Sequence, residues 1–117
     1  MIKLPENTRI FLALEPVNMR KSFDGLAILA QEVIQQNPLQ GHLFVFRNKP
    51  ADKIKVMWWD RNGLAIFYKR LEKGRFKFPK QRGASMTMTS EELALLLDGI
   101  DFTRLKRLPA LSFDAVV

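Results

Sequence analysis

The feature that most constrains the fold is a β-hairpin pattern between residues 53 and 71. The segment Lys53–Trp59 alternates in polarity, which is typical of a strand. Asn62-Gly63 follows it, and this pair favours a type I′ turn because both central positions need positive φ. The aliphatic and aromatic residues of Leu64–Leu71 are typical of a strand, which would be the second strand of the hairpin. The sequence therefore predicts two long antiparallel strands joined by a tight turn.

Further elements flank this hairpin. Lys73-Gly74 predicts a second turn and Arg75–Phe78 a third strand, so the three strands would form an antiparallel meander. Earlier strands are predicted over Thr8–Leu14 and Leu43–Arg47. One helix is predicted after an N-cap at Ser22, ending at Asn37-Pro38, and a second after a capping box formed by Thr89 and Glu92, ending at Gly99.

This order of elements predicts an α+β fold. We expect an antiparallel β-meander of about four to five strands with two main helices on one face. The 117 residues fit a single domain, which we place at residues 1–103. Residues 104–117 mix basic and apolar side chains without a period, and we expect a partly ordered C-terminal tail there.

The positive charge of the chain is concentrated in the predicted meander. The formal net charge is +7. Residues 47–82 alone hold twelve basic and three acidic side chains, a net of +9. An excess of this size favours an anionic partner, most often nucleic acid.

Alternation places part of this charge on one strand face. Lys53 and Lys55 share a face with Met57 and Trp59. Cations for phosphates and an aromatic ring for bases would suit nucleic acid, whereas the simpler interpretation is a solvated face of an antiparallel sheet. The predicted nucleic-acid-binding residues are Arg20, Lys21, Lys53, Lys55, Trp59, Arg61, Lys69, Arg70, Lys73, Arg75 and Lys77.

Two of these assignments leave alternatives open. Neighbouring residues of a strand point to opposite faces, so Trp58 should be core and Trp59 at least partly exposed. Trp59 could then stack on a base, anchor a protein partner or cover a second small core. Arg20-Lys21 could hold a phosphate together with the N–H groups of the following helix, or could extend into water.

The sequence offers no catalytic site. It has no cysteine and one histidine, which excludes thiolate chemistry, a disulfide scaffold and a multi-histidine metal site. His42 has no acidic neighbour in sequence, and no phosphate-binding loop or nucleophile motif occurs. We therefore expect no enzyme activity, no metal and no cofactor. No signal peptide or membrane-spanning stretch is recognisable, so we expect a cytoplasmic protein without membrane contact.

Four collinear segments carry a resemblance to a known family. They read NMRKSFDGL (18–26), LFVFRN (43–48), DKIKVMWWDRNG (52–63) and YKRLEKGRF (68–76). In these segments the chain closely resembles the accessory protein of the insertion-sequence-sixty-six family, the product of the element's second reading frame. The likeness runs from about Arg9 to Phe102. One departure is Phe78, which stands where the family pattern has tryptophan.

The resemblance implies a protein of a bacterial transposable element that supports DNA transposition. A separate transposase would carry the acidic metal-binding triad, and the family supplies no catalytic residues to transfer to this chain. We expect DNA and the element-encoded transposase as partners; the sequence leaves the oligomeric state open. The alternative is an adaptor that binds the transposase with little DNA contact, through Trp59 and the apolar tail. A nuclease-like enzyme with scattered carboxylates is the third and weakest interpretation.

Overall fold

The computed structural model describes residues 7–105 of the chain. Its strands are β1 (Ile10–Ala13), β2 (Leu43–Arg47), β3 (Lys53–Asp60), β4 (Gly63–Arg70) and β5 (Ser85–Met88). Its helices are α1 (Phe23–Leu29), which continues as a π-helical segment (Ala30–Ile34), α2 (Ser90–Leu97) and α3 (Phe102–Leu105). The predicted α+β class is confirmed. From residue 106 onward, the predicted tail lies outside the described residues.

The five strands form one mixed sheet in the order β4-β3-β2-β1-β5. β1 and β2 run parallel, with Leu12 opposite Val45, whereas the other neighbouring strands are antiparallel. The expectation of an antiparallel sheet is therefore corrected at one strand pair. The reason is the connection: two parallel strands need a crossover long enough to return the chain to the same end, and α1 with its π-helical segment provides it.

The meander consists of different strands from those predicted. β2, β3 and β4 form it, and Arg75–Phe78 is not a strand. Residues 71–84 instead form an irregular connection that carries the chain from one edge of the sheet to the other, where β5 pairs with β1. The Phe76 N–H donates to the Ala51 carbonyl at 2.8 Å, so this segment is tied to the loop between β2 and β3.

Helices cover both faces of the sheet, which corrects the expectation of helices on one face. One core cluster contains Leu26 of α1 and Ala30 of its π-helical continuation, together with Phe44 and Met57 of the sheet. The other contains residues of α2 and α3, Leu96 and Phe102 among them, packed on Ile54, Val56 and other strand residues. The side chains of β1 are therefore buried on both faces, and β2 is buried along its whole length except at Arg47.

The ends of the second long helix match the sequence pattern. The Glu92 N–H donates to the Thr89 hydroxyl at 3.1 Å, and the Thr89 N–H donates to the Glu92 carboxylate at 2.9 Å. The predicted capping box is thus confirmed. At the other end Gly99 has φ of 79°, and its N–H and that of Ile100 donate to Leu96 and Leu95, which is a Schellman motif.

The β3–β4 hairpin is present, but its turn lies one residue earlier than predicted. Asp60 pairs with Gly63, so Arg61 and Asn62 are the central residues. Only Arg61 has positive φ, at 56°. That pattern fits a type II′ turn and not the predicted type I′.

Candidate nucleic-acid interface

Three connections meet at one end of the sheet, where β1, β2 and β4 finish and β3 and β5 begin. The first, residues 14–22, joins β1 to α1. The second, residues 48–52, joins β2 to β3. The third, residues 71–84, joins β4 to β5. The strand registers bring their starting points together, since Ala13 lies opposite Ser85, and Lys53 opposite Arg70.

Backbone hydrogen bonds fasten these connections to each other and to the sheet. The Leu14 N–H donates to Ala84, and the Val17 N–H donates to Arg47 at 2.8 Å. The Leu71 N–H donates to Asp52, also at 2.8 Å. This end of the molecule is therefore built from segments that hold one another in place.

The side chain of Asn48 organises the middle connection. Its oxygen accepts from the Lys53 N–H at 3.1 Å, and its amide donates to the Asp52 carboxylate at 2.6 Å. That hydrogen bond is the largest cause of the lowered pKa of Asp52. The carboxylate is thus used inside the loop, which favours a fixed loop shape beneath the neighbouring cations.

Most exposed cations of the described chain lie at this end. Residues 14–22, 48–53 and 71–84 contain nine basic side chains and three carboxylates. All nine are exposed except Lys53, which is half-buried. We call this set the basic end: Arg20, Lys21, Lys49, Lys53, Lys73, Arg75, Lys77, Lys80 and Arg82. Five of the predicted binding residues besides Lys53 belong to it, and Lys49, Lys80 and Arg82 are additions from the structure.

Lys55 does not lie on an exposed face, which corrects the prediction that it shares a wet surface with Lys53. It is 6% exposed, because α1 and its preceding loop cover this side of β3. Its ammonium donates to the carbonyls of Met19 and Lys21, both at 2.8 Å, and lies 4.6 Å from the centre of the Tyr68 ring. Burial lowers the pKa of the Lys55 amine. Lys55 therefore fastens the β1–α1 connection to the sheet.

Replacing Lys55 with methionine should destabilise the fold by about 1.5–3 kcal/mol, because two carbonyls lose a charged donor. Denaturant unfolding would measure the loss, and amide exchange should rise at residues 18–22. Lys53→Met on the same strand face is the matched control and should stay within about 0.5 kcal/mol of the native chain. Equal unfolding midpoints for the two variants would contradict the fastening role.

Four other predicted binding residues do not belong to the basic end. Two of them bind other groups of the protein, and two lie at the opposite end of the sheet. The Lys69 ammonium donates to the Leu97 carbonyl at the end of α2, at 2.7 Å. Arg70 makes two bonds to Glu72, of 3.0 and 3.1 Å. Arg61 lies in the hairpin at the opposite end of the sheet, where Trp59 pairs with Leu64.

The two tryptophans follow the predicted alternation in part. Trp59 is half-buried, so its predicted partial exposure is confirmed. Trp58 packs against the core on the α2 side but is also only half-buried. Because Trp59 lies near the hairpin turn, it is remote from the basic end, and a joint surface of Trp59 with the lysines is not formed.

A groove runs beside the basic end on the α1 side of the sheet. It consists of two adjoining clefts of about 440 and 320 Å³ that share Lys53 and Tyr68. Asn18 and Arg20 line the first cleft, and the Arg70–Glu72 pair lines the second. Tyr68 was not among the predicted site residues. With the correct hairpin register, the sequence would have placed this aromatic residue directly opposite Lys55.

His42 is engaged in a structural contact. Its Nδ1 accepts a hydrogen bond from the Arg9 N–H at 3.1 Å, and its ring meets Phe11 edge-on. Burial, and secondarily the charge of Arg9, lower the pKa of the imidazole. Within residues 7–105, no three histidine, cysteine or carboxylate side chains come together as a metal site would require. Over the same residues, no helix combines the length and apolarity needed to cross a bilayer.

Comparison with known proteins places these features in a family. Residues 8–107 match the family model described as IS66 Orf2-like protein. The chain is 40% identical over 102 residues to the uncharacterized protein y4hO of Sinorhizobium fredii, covering 87% of this chain and 89% of that relative. It is 38% identical over 109 residues to the uncharacterized protein y4jC of the same organism, covering 93% of each. No solved structure matches the chain.

Proposed function

Because this chain belongs to the IS66 Orf2-like family, we propose that it is a non-catalytic accessory protein that supports transposition of a bacterial insertion element by binding DNA phosphates at the basic end. Membership implies a protein encoded with an insertion element. The observation that supports DNA binding is the convergence of three connections and the start of β3 at one end of the sheet, which together hold nine cations and three carboxylates.

The chemistry of this end suits a sequence-independent phosphate contact. Flexible, exposed lysines and arginines attract phosphate oxygens whatever the bases between them. Of the three carboxylates, Glu72 is paired with the Arg70 guanidinium, so it opposes an anionic ligand less than a free acid would. A non-catalytic role agrees with the engaged state of His42 and leaves strand transfer to the element's transposase.

A salt titration of the full chain tests this function. If about four phosphates are contacted, log K against log salt should fall with a slope of roughly −3.6 on duplex DNA and somewhat less steeply on a single strand. Fluorescence anisotropy with labelled strands of unrelated sequences would measure both the slope and the expected indifference to sequence. Absence of binding to duplex and single strand at low salt would overturn the proposal.

A second candidate function is that of a protein adaptor for the transposase with little DNA contact. The observation in its favour is a set of exposed apolar side chains on α1, its π-helical continuation and the loop after it: Phe23, Ile28, Val33 and Leu39. Pull-down of the element-encoded transposase with and without nuclease treatment separates the two functions. Capture that survives nuclease favours the adaptor, and capture that requires nucleic acid favours binding through DNA.

A further inference from the structure

The groove at Tyr68 lies beside the phosphate-binding surface but has a different chemistry. Its centre is an aromatic ring on β4, an edge strand of the sheet, and 51% of this residue is exposed. The buried Lys55 ammonium donates to two backbone carbonyls and lies over the Tyr68 ring, 4.6 Å from its centre. Since the buried ammonium supports the inner side of the ring, the remaining side is available to a ligand.

Within residues 7–105, one of the three cations that line the groove forms an ion pair with a carboxylate, and the other two do not. Arg20 and Lys53 line the first cleft, and neither has an ion pair within the described chain. In the second cleft both oxygens of Glu72 bind Arg70, which raises the pKa of the Arg70 guanidinium and lowers that of the Glu72 carboxyl. A phosphate beside the ring would therefore meet Arg20 and Lys53.

We propose that this groove binds an unpaired base of a DNA strand, stacked on Tyr68, with the adjoining phosphate held by Arg20 and Lys53. The inference rests on the proposed function and specifies the form of DNA that the protein selects. In a duplex the faces of the bases are covered by their neighbours, whereas an unpaired base can place its face on an aromatic side chain. The Lys55 ammonium already contacts one face of the ring, which reduces the side-chain freedom that is lost when a base stacks on the other face.

The test compares Tyr68→Ala with the native full chain on three ligands: a single strand, a duplex of the same length, and the same strand with abasic sites. Stacking on one base predicts about 5- to 150-fold weaker binding of the variant to the single strand. Binding to the duplex and the slope against salt should be nearly unchanged. Abasic sites should weaken binding of the native chain but not of Tyr68→Ala.

Two further variants keep the result interpretable. Tyr68→Phe retains the ring and should bind the single strand like the native chain. Phe67→Ala removes the neighbouring aromatic side chain, which is 37% exposed on the other face of the sheet, and should not alter the preference for a single strand. The unfolding midpoint of Tyr68→Ala shows whether the variant is folded at the assay temperature.

The outcomes separate this inference from the proposed function. If the native chain binds DNA but Tyr68→Ala binds the single strand equally well, the stacking groove is wrong and the phosphate contact stands. Equal losses on the single strand and the duplex also contradict stacking. A deoxynucleoside monophosphate that binds as tightly as the strand would overturn the assignment to a DNA chain. If the native chain binds no nucleic acid at all, the proposed function itself fails.

Discussion

Changing Lys73, Arg75, Lys77 and Lys80 together to glutamine should weaken DNA binding on the order of a thousandfold at about 0.1 M salt. All four side chains are exposed and belong to the irregular connection 71–84, so no sheet hydrogen bond depends on them. If these four side chains make most of the contacts to about four phosphates, the variant should lose most of the slope of roughly −3.6, and the slope that remains measures the other cations of the basic end. Anisotropy titrations over a series of salt concentrations would measure the affinity and the slope together.

A pair of double variants tests whether position matters beyond net charge. Arg75→Gln with Lys77→Gln removes two cations from the basic end, whereas Arg9→Gln with Arg61→Gln removes two exposed cations from the opposite end of the sheet. The first pair should reduce the slope by about 1.8, and the second should change it little. Equal effects would mean that DNA responds to the whole positive charge, and the localised interface would be wrong.

Local sequence patterns predicted the elements whose determinants lie close together in the chain. β2 begins and ends where its aromatic and aliphatic run does, at Leu43 and Arg47. The capping box of α2 could be predicted because both of its hydrogen bonds join residues three apart. In each case the structure depends on side chains and backbone groups within a single turn or strand.

The parallel pairing of β1 with β2 could not be obtained in the same way. It brings Phe11 beside Phe44 across a whole helical crossover, and that partner choice is a long-range contact. A signal was present, since both strands are nearly continuous apolar runs, which is typical of strands covered on both faces. Alternation in β3 identified the face of Lys55 correctly but contains no information about the helix that covers it.

The register of the hairpin explains why Tyr68 was missed. A turn centred on Asn62-Gly63 would place Tyr68 opposite Met57 and Lys55 opposite Arg70. In the structure Tyr68 lies opposite Lys55 instead. Cations directly opposite each other are unfavourable, more so when one is buried, whereas an aromatic ring stabilises the buried ammonium. Sequence alone does not show that Lys55 is buried, so it could not choose between these registers.

The failure at Arg75–Phe78 has a similar origin and concerns the interface most directly. Apolar and basic residues alternate there as in a strand. The segment passes across the ends of the strands, however, and does not pair with an edge strand of the sheet. Phe76 is the apolar residue that holds it: the side chain is buried in the core on the α2 side, and its N–H is bonded to Ala51. The alternation at residues 75–77 therefore arises from the buried Phe76 ring between the exposed Arg75 and Lys77, and not from a strand.

Replacing Phe76 with alanine should cost about 3–5 kcal/mol of unfolding free energy, since a ring that is 3% exposed leaves a cavity. That is a large part of the 5–15 kcal/mol or so that a domain has in total. The ring also packs against Phe78. The Arg47 guanidinium lies over the Phe78 ring, 5.0 Å from its centre. Denaturant unfolding measures the loss, and DNA binding by the folded fraction should weaken because the backbone that carries Arg75 and Lys77 loses its anchor.

Phe67→Ala is the matched control for this substitution, because it removes the same ring from a position that solvent already reaches on β4. It should cost about 1 kcal/mol, as is usual for a partly exposed side chain. Binding to duplex DNA should stay close to that of the native chain, since Phe67 is not part of the connection that carries the cations. If both phenylalanine variants unfold at the same denaturant concentration, Phe76 does not anchor the 71–84 connection, and another contact must hold the basic end together.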